Sequence, residues 1–187
     1  MDKRTTIIIL LSILFSIALS RRIRLPILLR SPKIECNLKT DECGINKSLD
    51  QFTLYSNSSY YIAGRCEYYQ FNIDSNGSPN RSAKFETMFF PNLESRRGCL
   101  HLEDNVQGRN TFILIVHQRT RIGAGRVIYT DHVVATPYWS QRNIEVSLGD
   151  EEESQFIVQV LCQYCSPGAK YSISRISFKW EACNFKP

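Results

Sequence analysis

The sequence is poor in the residues that catalysis usually draws on. It contains three histidines, His101, His117 and His132, and none has a second histidine at a metal-ligand spacing such as His-x-x-x-His. No Gly-x-Ser-x-Gly elbow is present. Gly123-Ala124-Gly125 lacks the third glycine and the following helix of a dinucleotide loop, and reads as a hairpin turn. These absences argue against the common hydrolase and dehydrogenase chemistries, and the chain is expected not to be an enzyme. Helical periodicity is nearly absent, as are internal repeats and low-complexity tracts. Beyond the N-terminal leader there is no long apolar run, so no later segment reads as a membrane-spanning helix.

Net charge is missing where a nucleic-acid binder needs it. The total is +5, but residues 1–30 account for all of it, with Lys3, Arg4, Arg21, Arg22, Arg24 and Arg30 against Asp2. The remaining 157 residues carry 17 basic and 17 acidic side chains. No global field steers such a domain to a polyanion, and no nucleic-acid partner is expected. The stretch RRIRLPILLR over 21–30 has two readings. It is a leader remnant without structure, or a weak contact for anionic glycans and lipid headgroups. Its Arg21-Arg22-Ile23-Arg24 also has the Arg-x-x-Arg spacing that basic-site proteases cut.

What is present places the chain outside the cell. A short basic start, MDKR, precedes a 16-residue apolar run from Thr5 to Ser20 that ends in the cleavage-like triplet Ala18-Leu19-Ser20. Residues 1–20 therefore read as a secretory signal peptide, and 21–33 as a basic linker. An uncleaved signal anchor is the alternative, and Arg21-Arg22 directly after the run favours it. Once the leader is removed, no stable membrane insertion is expected. Seven cysteines follow: Cys36, Cys43, Cys66, Cys99, Cys162, Cys165 and Cys183. Behind such a leader they indicate disulfides and an oxidising compartment. Four Asn-x-Ser triplets begin at Asn46, Asn57, Asn76 and Asn80. Each is an expected glycosylation site and implies a surface loop. All lie in the first half, which leaves the later half freer for partners.

The 154 residues from Ile34 onward are long enough to bury one core. Strand signals run through 60–62, 66–71, 84–90, 99–103, 126–129, 132–134 and 143–148. Phe112–Val116 is a continuous apolar run, and Phe156–Leu161 is one broken only by Gln159, as expected of strands buried on both faces. In the last strand, over 171–180, Ile176, Phe178 and Trp180 share one face. Turn residues at 76–80, 108–110, 122–125 and 166–168 separate these runs. The pattern predicts an all-β domain over 34–187, a two-sheet antiparallel sandwich of jelly-roll kind. The acid run Asp150-Glu151-Glu152-Glu153 falls between strands as a solvated loop. Cys162-Gln163-Tyr164-Cys165 has zinc and thioredoxin spacing, but no second pair completes a zinc site and no helix follows to lower a thiol pKa. A structural disulfide is expected there.

The order of several segments resembles the MAM domain, an adhesive module of meprin-type proteases, neuropilin-type receptors and receptor tyrosine phosphatases. Cys36-Asn37-Leu38 with Cys43-Gly44-Ile45 is similar to its start, and Phe85–Phe90, Cys99-Leu100-His101-Leu102 and Gly108 to its middle. Trp139 ahead of Ile144, Val146 and Leu148 is similar to its Trp-led strand. Phe156-Ile157-Val158, then Tyr171–Phe178 and Cys183, are similar to its closing strands. The resemblance implies a galactose-binding-like sandwich, with Cys36 paired to Cys43 and Cys99 to Cys183. Cys66, Cys162 and Cys165 are extra; a bridge from Cys66 to Cys162 or Cys165 leaves one thiol, buried or joined to a second chain. Where many members carry adjacent acids in the closing strand, this chain has Ser174 and Arg175. Asp41 and Glu42 alone make a poor calcium cage, which wants six or more oxygens. No metal or cofactor is expected.

Two functions follow. The first is a secreted module that engages another extracellular protein: a receptor, a matrix component or a second copy. The alternative is a lectin-like sandwich that binds glycans, with Tyr55, Tyr60, Tyr138 and Trp139 as candidate stacking rings, although Trp139 also suits a core position.

Overall fold

The structure, a computed structural model, describes residues 33–184 except 39, 46–49, 56–61, 63, 66, 74–81, 92–95, 109–110, 124, 150–152 and 165. The leader, the linker through residue 32, the four acceptor asparagines, Tyr60, Cys66 and Cys165 lie outside the described residues; Lys33, expected as the last linker residue, instead begins the first strand.

Ten strands form two antiparallel sheets. They are β1 (Lys33–Cys36), β2 (Thr53–Tyr55), β3 (Tyr68–Asn72), β4 (Ser82–Glu86), β5 (Arg97–Gln107), β6 (Thr111–Thr120), β7 (Arg126–Val134), β8 (Ser140–Ser147), β9 (Ser154–Tyr164) and β10 (Lys170–Lys179). The first sheet runs β2-β3-β10-β5-β8, and the second β4-β9-β6-β7. Along one side of β10, β3 takes Lys170–Ile173 and β1 takes Ile176–Lys179. The architecture is a jelly-roll β-sandwich. Among the described residues no helix is long and apolar enough to cross a membrane.

Alternation decides which side chains enter the core. Phe112, Leu114 and Val116 of β6 and Phe156, Val158 and Val160 of β9 are fully buried between the sheets. The runs that contain them were expected to be buried on both faces, and this needs correcting. Ile113, Ile115, Ile157 and Leu161 point the other way and are only partly buried. Two further expectations change. The segments at 126–129 and 132–134 are one strand, β7. At 60–62, only Ile62 is described, in a single bridge to Arg65. β1 and β2 had no sequence signal, being pieces of four and three residues fixed by pairing with β10 and β3.

β10 carries a bulge. Ile173 lies opposite Asp104 and Arg175 opposite Glu103, so Ser174 is the extra residue. Tyr171, Ile173, Ile176 and Phe178 are therefore all buried despite the three-residue step in the middle. Phe178 centres an aromatic cluster, with ring centroids 5.5 Å from Phe90, 5.1 Å from Phe156 and 5.1 Å from Trp180.

Charge closes one open side of the sandwich. Arg142 of β8 reaches across to β7, bonding Asp131 and the Tyr129 hydroxyl, while its Nε donates to buried Asp104 at 2.7 Å. The Tyr171 hydroxyl donates to the same Asp104 oxygen at 2.7 Å. Burial pushes the Asp104 carboxyl above its ordinary range, against the pull of the Arg142 and Tyr171 bonds. Two disulfides pin the ends. Cys36 is joined to Cys43, and Cys99 to Cys183 across a separation of 84 residues. In the chain-entropy model the longer loop is worth about 4–5 kcal/mol. Cys162 is also disulfide-bonded.

Gly98 faces the aromatic cluster, and a Cβ there would lie 2.3 Å from Phe178 Cζ and 3.2 Å from the Lys179 carbonyl oxygen. Phe178 is hemmed in by three rings and cannot yield. Gly98→Ala is expected to cost about 1–3 kcal/mol of stability, read as a lowered urea midpoint; an unchanged midpoint would show that the cluster is not tightly packed.

Candidate functional site: a polar groove on the first sheet

The outer face of the first sheet is polar because every second residue of its strands is polar. Register places Glu35 of β1, Ser177 of β10, His101 of β5 and Asn143 of β8 in one row across four strands. The next row carries Lys33, Lys179, Cys99 and Glu145. On the other side of the first row, Arg175 stands opposite Glu103, beside the bulged Ser174.

Two shallow depressions lie along this face and share Arg175. One, of about 230 Å³, is lined by Lys33, His101, Asn143, Arg175, Ser177 and Lys179 among others. The other, of about 310 Å³, has Glu35, Arg65, Glu67, Glu103 and Ser174 in its wall. Together they form a groove with a basic end and an acidic end.

Its side chains are held by one another. Arg65 Nη2 donates to both oxygens of Glu103 at 3.0 Å, and Ser174 Oγ donates to Oε2 at 2.8 Å. The Glu103 side chain is 5% exposed. Burial raises its pKa, but the Ser174 and Arg65 bonds outweigh that and hold it below the usual value. Glu35 accepts from Lys33 Nζ at 2.9 Å and from Arg175 Nε at 2.6 Å, and those two bonds hold its carboxyl low as well. His101 Nδ1 lies 2.6 Å from Asn143 Oδ1, an acceptor, which assigns the ring proton to Nδ1.

The aromatic candidates are placed elsewhere. Tyr55 stacks on Tyr68 at 5.4 Å, and Tyr68 meets Trp139 at 6.3 Å. Trp139 Nε1 donates to the Ile62 carbonyl at 2.8 Å, so this ring anchors a loop. Asn105 secures the same loop, with Nδ2 donating to the Thr136 and Tyr138 carbonyls. Of the expected stacking rings, Tyr138 alone among the described residues is largely open, at 75% exposure. Asp41 and Glu42 lie between the ends of the small disulfide loop, and Glu42 accepts from Thr40 Oγ1. Among the described residues no group of three or more His, Cys, Asp or Glu side chains is placed to hold a metal ion. His117 faces outward on the second sheet, opposite Val127. Glu153, the described member of the acid run, pairs with Arg121.

Ser174 and Arg175 stood out in the sequence only as departures from a family pattern; the structure puts both in the groove. Arg65, Glu103, Asn143, Lys33 and Lys179 carried no signal of their own. One signal was present: the three-residue step from Ile173 to Ile176, which marks the bulge that turns Ser174 and Arg175 outward.

No family model matches the chain, and no curated protein matches it. Solved structures do. An exo-β-agarase matches at 6% identity with a TM-score of 0.53, over 74% of this chain and 24% of that one. A family 35 carbohydrate-binding module from Clostridium thermocellum matches at 9% identity and a TM-score of 0.49, over 79% of this chain and 98% of the module. The module TmCBM61, solved with β-1,4-galactotriose, matches at 15% identity and 0.44, over 72% and 86%. At these identities the likeness is one of fold.

Because Glu103 is held ionised, it stabilises the fold above its unfolded-state pKa, near 4.5, and that contribution is lost as pH falls through its lower folded value. Glu103→Gln is expected to cost about 1–3 kcal/mol at pH 7, with the difference from the parent shrinking below pH 4.5 in denaturant titrations. A difference that stays constant down to pH 3 would contradict the ionised pairing.

Proposed function

We propose that the chain is an exported, non-catalytic recognition module that binds carbohydrate in the groove on the first sheet. The observation that carries this reading is the row Glu35–Ser177–His101–Asn143 beside the fixed Glu103–Arg65 pair. Sugar hydroxyls donate and accept at once. A receptor for them needs fixed side chains of both kinds on a shallow floor, so that each displaced water bond is replaced. Asn143 and Arg175 offer donors, and Glu35, Glu103 and Nε2 of His101 offer acceptors. The same electrostatics weigh against glycoside hydrolysis. A hydrolase pair needs one carboxyl kept protonated as general acid, whereas Glu35 and Glu103 are both held low.

Export completes the reading. Residues 1–20 act as a signal peptide, Asn46, Asn57, Asn76 and Asn80 are glycosylated, and the disulfides suit an oxidising compartment. The adhesive function implied by the MAM resemblance has its own support in the outer face of the second sheet. There Ile113, Ile115, Ile157 and Leu161 make an aliphatic surface beside Val127 and Val134, which are 55% and 56% exposed.

The test is a glycan array probed with protein secreted from a eukaryotic cell. Binding to a defined glycan class is expected, with Asn143→Ala weakening it by about tenfold or more while leaving the thermal midpoint unchanged. No bound glycan, or full binding by Asn143→Ala, would remove the groove from this role and leave the aliphatic face as the recognition surface.

A further inference from the structure

We propose that the groove selects glycans bearing an anionic substituent, a uronate carboxylate or a sulfate, which is held between Lys33 and Lys179. The inference rests on the carbohydrate reading of the groove and concerns its basic end.

Lys33 and Lys179 are direct cross-strand partners in the β1–β10 ladder. Like charges placed opposite each other on one face of a sheet repel, and the pair is a local cost to the fold. Each lysine has an acid of its own to the side. Lys33 Nζ bonds Glu35 at 2.9 Å, and Lys179 Nζ lies 3.5 Å from Glu181. Those contacts sit at the surface, with lysine side chains 37% and 44% exposed, and contribute little. Glu35 is moreover shared, because Arg175 binds it too. Three cations thus meet two carboxylates around one depression.

The depression itself is lined by all three cations and by Glu181, while Glu35 lines the neighbouring one. An anion seated between the two ammonium groups would relieve their repulsion and take hydrogen bonds from both. A carboxylate or sulfate on a sugar ring brings such an anion together with hydroxyls for His101, Asn143 and Ser177 alongside. Lysine suits the task, since its ammonium is a flexible point charge that adapts to either geometry. At the other end Glu35, Glu67 and Glu103 outnumber Arg65 and Arg175, which are already paired with Glu103 and Glu35, and this disfavours a second negative charge there. The preferred ligand is consequently one with an anionic unit beside a neutral one, rather than a uniformly charged polyanion.

The experiment uses matched pairs of oligosaccharides: uronate-containing chains with their carboxyl-reduced forms, and sulfated chains with their desulfated forms. Three full-length proteins are compared: the parent, Lys33→Gln/Lys179→Gln, and Lys84→Gln/Arg121→Gln, which removes the same charge far from the groove. All three retain the arginines at 21–30, so a contribution from that segment is common to them. The parent is expected to bind the anionic member of a pair about tenfold tighter than its neutral partner. The Lys33→Gln/Lys179→Gln protein should lose that preference while keeping its affinity for the neutral member, and the distal variant should behave as the parent. Whichever pair type shows the preference distinguishes carboxylate from sulfate. Equal affinity for both members, or an undiminished preference in the Lys33→Gln/Lys179→Gln protein, overturns the anion site and leaves the carbohydrate reading standing. Absence of binding to every member overturns the carbohydrate reading itself.

Discussion

The bulge in β10 is the constraint on which the rest of the structure depends. β10 lies inside the first sheet, with β5 along one side and β3 and β1 sharing the other. Strict alternation would send either Ile173 or Ile176 to the wrong face, since they are three residues apart. One inserted residue at Ser174 resolves the conflict. Tyr171 and Ile173 then meet the core on one side of it, and Ile176 and Phe178 on the other. The same residue creates the groove, because it presents Ser174 and Arg175 to the outer face beside Glu103. Core and site are set by one irregularity in one strand.

The charges of this neutral domain are sorted into two uses. Inside, Arg142 and Asp104 tie the open edges of the two sheets together through Asp131, Tyr129 and Tyr171. Leaving either member of such a buried pair alone costs about 3–5 kcal/mol, so this set is structural. Outside, Lys33 and Arg175 share Glu35, Arg65 holds Glu103, and Lys179 lies beside Glu181 along the groove. The Glu35 and Glu103 carboxyls are held below their ordinary range by these neighbours and by Ser174, and in the proposed reading they serve a ligand as fixed acceptors.

The fold class was readable from the sequence because a sandwich writes its rule locally. Asn143–Leu148 and Cys99–Glu103 alternate polar with apolar, and turn residues punctuate them. β6 and β9 misled for a physical reason. Their second apolar row, Ile113, Ile115, Ile157 and Leu161, faces outward, and periodicity alone cannot distinguish a doubly buried strand from one with an aliphatic outer surface. β1 and β2 were silent because three or four residues hold no period; neighbouring strands hold them in place. The groove was illegible for a related reason. Its residues are spread from Lys33 to Lys179 and meet only through cross-strand register. The aromatic rings that drew attention, Tyr55 and Trp139, are used to pack a loop. The candidate rings fall in or beside loops, whereas the convergent polar groups stand on the sheet.

The most direct measurement is an NMR titration of isotopically labelled protein with the oligosaccharide bound best on the array, following the backbone amides. The account predicts shifts concentrated on β1, on residues 99–103 of β5, on β8 around Asn143, and on β10 from Ser174 to Lys179. Shifts confined to the loop around Tyr138 and Trp139, or to the outer face of β6 and β9, would contradict it.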